Sequence, residues 1–339
     1  MSFPPLLATG TSSPENLSIF SPDSPPAESI RVLFIFVLAV AVAILAVVWG
    51  VLFYSLFRFR RRDPGDGKEP PQVYGSKPIE IAWTAAPALI VFLLVLLIIR
   101  TVHEVRVNPA APPPGSRPLY VTVIGHQWWW EYRYDRYDGQ DLGGLVTANE
   151  LHVPAGSDGV PRPIYLSLES ADVCHSFWVP RLAGKTDLIP GRTNTMWFQT
   201  DKKGLYLGQC AEYCGTQHTK MLLRVYVDAP EEFDDWLKNQ QEPAVDDPAV
   251  ADGRRTFLGQ SCVNCHRIRG TSARGTYAPD LTHLMSRQTL ASGMIPNDRA
   301  ELERWVANPQ QVKPGCLMPA FGLDKNQFQD IVDYLLTLR

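Results

Sequence analysis

Two stretches of this chain carry no charged side chain. Residues 32–57 run for 26 positions, and residues 81–99 for 19, without Asp, Glu, Lys or Arg. Each is long enough, at about 1.5 Å per residue, to cross a hydrocarbon core of about 30 Å. Buried helices of this length in soluble proteins carry polar positions, so the pattern predicts a two-helix transmembrane hairpin over about residues 31–58 and 79–101. Between the two lie Arg58, Arg60, Arg61 and Arg62, with Lys68 and Lys77 further on, whereas no Lys or Arg precedes Arg31. This excess of positive charge places the connecting loop in the cytoplasm and both chain ends outside. Residues 1–30 are rich in Pro and Ser, carry Glu15, Asp23 and Glu28, and lack a basic region ahead of a compact apolar core. They read as an extended external tail rather than a cleavable leader.

After the hairpin the period changes. Residues 102–118 form a spacer whose second part, from residue 107, is rich in Pro and therefore stiff. Residues 119–125 are rich in β-branched side chains, and further strand signals fall at 162–167, 195–200, 204–208 and 222–227, with Gly, Pro and Asp between. This predicts an all-β sandwich or barrel over residues 119–238. Residues 239–249 read as an acidic linker. Helical spacing at 249–260 and 327–338 brackets a small all-α domain, residues 250–339. The sequence has no internal repeats, and its net charge of −3 gives no sign of nucleic-acid binding.

The chemistry gathers in two places. Cys210, Cys214, His218 and Met221 are spaced C-x3-C-x3-H-x2-M, with His175 upstream. Thiolate, thioether and imidazole donors together suit a soft transition metal such as copper. Two close cysteines can bridge two ions, and an electron shared over both needs little change of geometry on transfer. A short disulfide and a tetrahedral zinc site are the competing readings, although zinc seldom takes a thioether. Further on, Cys262, Cys265 and His266 form C-x-x-C-H, the covalent attachment pattern of c-type haem, with His266 as proximal iron ligand. Met318, in the Pro-flanked loop that opens at Lys313, is the expected distal ligand; Met285 and Met294 lack that setting. Of six cysteines, Cys174 and Cys316 are left over and are expected to be free and shielded.

In order and spacing, these motifs resemble subunit II of haem–copper oxidases, from the first membrane helix to about Ala229. The tail resembles a class I cytochrome c, a fusion found in caa3-type cytochrome c oxidases. The resemblance implies a membrane-anchored, multidomain chain with a cupredoxin-like domain that holds a binuclear copper centre, CuA. Cys210 and Cys214 would bridge the coppers, His175 and His218 would bind one each, and Met221 and the Glu212 carbonyl would complete the set. The Glu212 carboxylate would reach a magnesium ion at the contact with subunit I.

Gly125 to Tyr132 places Trp128, Trp129, Trp130 and Tyr132 close together. The resemblance makes Trp128 the electron entry point. Trp129 and Trp130 read equally well as large rings that plug the barrel or rest on the membrane interface and as part of the family's aromatic patch near CuA, and His126 reads as a hydrogen-bonding residue rather than a ligand. Glu80, at the inner mouth of the second helix, matches a proton-channel entrance in the family and reads equally as an ordinary interfacial carboxylate.

Implied partners are subunits I and III, and a soluble cytochrome c or another respiratory complex as donor. The implied setting is the bacterial cytoplasmic membrane, with both redox domains on the outer side and oxygen reduced in subunit I with proton translocation. A quinol oxidase subunit would lack the copper ligands. A CuA-containing nitric oxide reductase subunit and a free-standing membrane-anchored carrier remain as alternatives.

Overall fold

The computed structural model describes residues 17–60, 72, 74–106, 111–157 and 159–339. The chain divides into two compact units, residues Glu28–Arg106 on one side and Met1–Ala27 with Val107–Arg339 on the other.

The smaller unit consists of α1 (Pro25–Arg58) and α2 (Lys77–Val105). Their charge-free stretches leave large apolar side chains such as Trp49, Phe57 and Phe92 exposed, and no residue of α2 is buried. A helix that is apolar on every side, with nothing covering it, is matched by a membrane and not by a protein core. α1 begins six residues before the expected start, at Pro25, and α2 extends to Val105. Arg61, Arg62 and Lys68 lie outside the described residues, as do the tail up to Asn16 and residues 107–110 of the spacer.

The larger unit opens with a β-sandwich. Its strands are β1 (Leu119–His126), β2 (Trp129–Tyr137), β3 (Gln140–Ala148), β4 (Glu150–Pro154), β5 (Ile164–Ser170), β6 (His175–Trp178), β7 (Thr186–Leu188), β8 (Asn194–Phe198), β9 (Gly204–Cys210) and β10 (Leu222–Asp228). They form two five-stranded sheets, in the orders β3-β2-β1-β5-β8 and β4-β10-β9-β6-β7. β1 runs parallel to β5 and β10 parallel to β4; the other pairings are antiparallel. Alternation puts Leu119, Val121 and Val123 of β1, and Trp130, Tyr132 and Tyr134 of β2, into the layer between the sheets. Trp130 is thus a core ring. α3 (Pro230–Gln241) closes one end with Phe233 and Leu237.

Part of the tail is not free. The buried Asp23 carboxylate accepts hydrogen bonds from Arg181 and, at 2.6 Å, from Lys202, and Ser24 Oγ accepts from the Gln199 amide at 3.2 Å. The acidic residue that suggested a solvated tail is paired with two cations of the sandwich.

The last third of the chain holds α4 (Ala251–Gly259), α5 (Cys262–Cys265), a short hairpin of β11 (Thr289–Leu290) and β12 (Ile295–Pro296), α6 (Arg299–Ala307), α7 (Pro309–Val312) and α8 (Lys325–Leu335). The hairpin is an addition to the expected all-α pattern. α4 crosses α8 at Gly253, where a Cβ would stand 2.0 Å from the Asp330 carbonyl oxygen, so only glycine fits that approach. The expected linker is short and fastened. Residues 239–241 complete α3, Pro248–Val250 form a 3-10 turn, and between them the Ala244 amide donates to the Arg269 carbonyl at 3.0 Å.

Candidate metal centres

The first centre is built where three strands end. β9 delivers Cys210 and β10 leaves from Met221, tied by the Cys210 amide to the Met221 carbonyl at 3.0 Å. β6 opens with His175 and is joined to the loop by the Ala211 amide, which donates to the Ser176 carbonyl at 3.0 Å. His175, Cys210, Cys214 and Met221 are all buried. Cys210 Sγ lies 3.8 Å from Cys214 Sγ, beyond the roughly 2.05 Å of a disulfide. His175 Nδ1 approaches Cys210 Sγ at 3.9 Å, while His218 Nδ1 approaches Cys214 Sγ at 3.6 Å. Met221 Sδ stands 3.9 Å from Cys214 Sγ, and the Glu212 carbonyl 3.2 Å from Cys210 Sγ. The donors therefore gather round one sulfur pair, with His175 and the Glu212 carbonyl against Cys210 and with His218 and Met221 against Cys214.

Electrostatics prepares the pair for a cation. Cys210 is pushed down, first by its hydrogen bond to Cys214 and further by His175, whereas Cys214 is pushed up by the same bond and by burial. The first proton leaves readily; the second is held because two thiolates this close repel, until a metal replaces it. His175 Nε2 donates to Asp172 Oδ1 at 2.7 Å, which turns Nδ1 toward the sulfurs. Soft donors, a bridging sulfur pair and oriented imidazoles fit copper. The Glu212 carboxylate is exposed at the surface of this loop.

The second centre surrounds a cleft of about 1370 Å³ of empty space, part of it open solvent. Cys262, Cys265, His266 and Met318 all line it. His266 Nδ1 donates to the Pro279 carbonyl at 2.7 Å, which leaves Nε2 as the free donor atom, and burial pushes its pKa down, so the ring is neutral as a metal ligand must be. The Met318 loop is held by Gln310, whose Nε2 donates to the Cys316 and Met318 carbonyls at 2.9 Å each. Two free thiols, a neutral histidine and a thioether around one apolar cleft fit a covalently attached haem. Met285 and Met294 instead pack on the hydrophobic core. Cys174 and Cys316 are free, but Cys174 is exposed rather than shielded, since it sits in the turn ahead of β6; Cys316 is partly covered.

The β-sandwich forms one wall of this cleft with Gln127, Trp128 and Trp129. Trp128 is 9% exposed, and its Nε1 donates to the Cys214 carbonyl at 2.9 Å. Trp129 stacks on His126 at 4.1 Å, and His126 Nε2 bonds Glu131 at 3.1 Å, a structural role. Glu80 stands in the first turn of α2, exposed. Sequence reasoning gave no role to Asp172, Gln127, Lys313 or Arg287. Only Asp172 left a trace, three positions before His175.

Residues 119–227 match the family profile described as cytochrome c oxidase subunit II, periplasmic domain; residues 12–100 match its transmembrane domain, and residues 250–339 match cytochrome c. The chain is 33% identical to cytochrome c oxidase subunit 2 of Alkalihalophilus pseudofirmus, over 100% of this chain and 96% of that one. It is 31% identical to the protein of that name from Bacillus sp. strain PS3, over 83% and 80%, and 30% identical to that of Bacillus subtilis, over 85% and 82%.

Proposed function

From the premise that this chain belongs to the cytochrome c oxidase subunit II family, with a fused cytochrome c domain, we propose that it is the electron-input subunit of a caa3-type oxidase. It is a membrane-anchored part of an oxidoreductase complex, and its role is electron transfer. The observation that carries the finer reading is the shared wall. Trp128 lines the cleft that holds Cys262, Cys265 and His266 and also bonds the carbonyl of Cys214.

When bound, haem and the copper pair supply two one-electron stations, used in that order before subunit I. Cys262 and Cys265 would hold the haem covalently, and His266 and Met318 would bind its iron. Cys210 and Cys214, with His175, His218, Met221 and the Glu212 carbonyl, would hold the copper pair. Trp128 shortens the through-bond route between the stations. Because the haem domain is packed on the sandwich, no diffusional encounter separates them.

Subunit I then reduces oxygen to water with proton translocation. The Glu212 carboxylate would bind magnesium against that subunit, and Glu80 would serve at the proton entrance. Subunit III completes the complex, and a soluble cytochrome c or a neighbouring respiratory complex supplies the electrons. Both redox domains face the outer side of the bacterial cytoplasmic membrane.

Electron paramagnetic resonance of the oxidised full-length chain, with haem attached and copper loaded, tests this. Hyperfine structure from one electron shared by two coppers, beside a low-spin haem signal, is expected. A single-copper signal, or none, would remove the binuclear centre. In the His218→Ala variant the shared-electron pattern disappears while the haem signal stays.

A further inference from the structure

Two cations point to a ligand of particular charge. Among the residues lining the haem cleft, Arg287 and Lys313 are charged, and no carboxylate lines it. Arg287 is accounted for within its own surroundings: its Nη2 donates to the Asp280 carbonyl at 2.5 Å, and the Asp280 and Glu150 carboxylates act on it. Lys313 is not. It is 3% exposed, and its ammonium donates to the Trp128 carbonyl at 2.5 Å and to the Ala291 carbonyl at 3.2 Å. Among the described residues no carboxylate pairs with it. The groups that act on it are the thiols of Cys316 and Cys214 and the cation of Lys220, and burial pushes its pKa down to about 7.

An ammonium has three protons to donate, and two are used. A cation buried without an anion is costly, and a structure that keeps one usually meets the anion elsewhere. Here the missing anion would come with the occupant of the cleft, because haem carries two carboxylates on an otherwise apolar ring. Lys313 also joins the two domains, since Trp128 belongs to the sandwich. Around it the contacts are weak or backbone-directed: Gln217 Nε2 to the Pro314 carbonyl, and Lys220 Nζ to the Val312 carbonyl at 3.4 Å.

We propose that Lys313 is a cofactor-binding residue whose ammonium holds a haem carboxylate together with the Trp128 carbonyl, so that the haem itself fastens its domain to the copper domain. This rests on the haem reading of Cys262, Cys265 and His266. It gives the cofactor a second role, as the anion that neutralises the interface, and places a hydrogen-bonded route from the haem carboxylate through Lys313 to Trp128 and the Cys214 carbonyl.

The test uses the full-length chain with haem attached and copper loaded. Covalent attachment is first checked from the c-type absorption bands; their absence in the unsubstituted chain would overturn the haem reading itself. The haem midpoint potential is then titrated spectroelectrochemically, and haem-to-copper electron transfer is followed after flash reduction. Lys313→Met is expected to lower the midpoint potential, because a positive charge beside the haem favours the reduced form, and to slow the transfer. Lys313→Arg restores both. Lys220→Ala, which removes a domain contact but no charge from the cleft lining, leaves the potential unchanged. If Lys313→Met fails to fold, Lys313→Gln, which keeps donors for both carbonyls, carries the same expectation. Attached haem with an unchanged midpoint potential in the neutral variant would overturn the proposal.

Discussion

The Trp128 indole and the Cys214 carbonyl are joined by a 2.9 Å hydrogen bond, and the same carbonyl takes the Gln127 side-chain amide at 2.8 Å. The aromatic wall of one cleft is thereby bonded to the backbone of the other centre. Trp128→Phe keeps a ring but loses this donor, while Gln127 still satisfies the carbonyl. The expected stability loss is therefore about 1 kcal/mol, that of a single hydrogen bond, measured by denaturant unfolding. Transfer from haem to copper should slow by far more than that loss of stability would suggest. An unchanged transfer rate would place the route elsewhere.

Gly125 explains how His175 is held in place. A Cβ at position 125 would stand 2.8 Å from His175 Cδ2 and 2.9 Å from its Cγ, so the imidazole packs flat against bare backbone of β1. Gly125→Ala must push the ring away from Cys210. Copper affinity should fall and the shared-electron spectrum should change, with the haem bands untouched. The fold should survive at a cost of about 1–3 kcal/mol for overpacking. A variant that binds copper normally would show that the ring has room to give.

Copper uptake should depend on pH through His175. Burial works against its charged form, but the Asp172 carboxylate and Cys210 outweigh it, so in the copper-free chain its pKa lies above the ordinary 6.5. A raised folded value means that the proton stabilises the folded chain below 6.5, and that this contribution fades as pH rises through the folded value. Copper must displace the held Cys214 proton throughout this range and also needs the bare His175 nitrogen, so the fall of its affinity with falling pH should steepen from a point above 6.5. Asp172→Asn should move the inflection to lower pH. Copper titrations of both proteins across this range decide it.

The elements with a strong period were legible in the sequence. The charge-free runs became α1 and α2, the β-branched run at 119–125 became β1, and the C-terminal spacing became α8. The grouping of Cys210, Cys214, His218 and Met221 was equally plain, because one loop carries all four, whereas His175 comes from a separate strand. What was not legible depends on distant pairing. Asp23 looked like a solvated tail residue until Arg181 and Lys202 were found around it, 158 and 179 positions away. Lys313 marked only where the Met318 loop opens, since nothing local shows that its ammonium reaches the Trp128 carbonyl, 185 positions back. Residues 239–249 read as a linker because their composition is polar, but polarity alone cannot separate a free strand from one whose backbone is bonded to Arg269.

Glu150 is the clearest place to separate docking from ligation. It is buried in β4 of the sandwich, yet its carboxylate accepts from the Gln288 amide at 2.9 Å and from Thr289 Oγ1 at 2.5 Å, both in the haem domain. Its nearest cation, Arg224, stands 3.9 Å away on β10. Hydrogen bonds to a charged group are worth about 1.5–3 kcal/mol each, more than neutral ones, and a buried donor left without its acceptor costs about 1–3 kcal/mol. Glu150→Ala therefore loses two such bonds and strands the Gln288 amide, whereas Glu150→Gln keeps one acceptor oxygen and should cost roughly half as much. Glu150 bonds none of the proposed copper or haem ligands, so in either variant both resting spectra should be unchanged. Haem-to-copper transfer should slow in the order Gln, then Ala, and protease cleavage in the segment between α3 and α4 should quicken in the same order. Unchanged cleavage with slowed transfer would mean that the domains stay docked and that Glu150 acts on the haem through Arg287 instead.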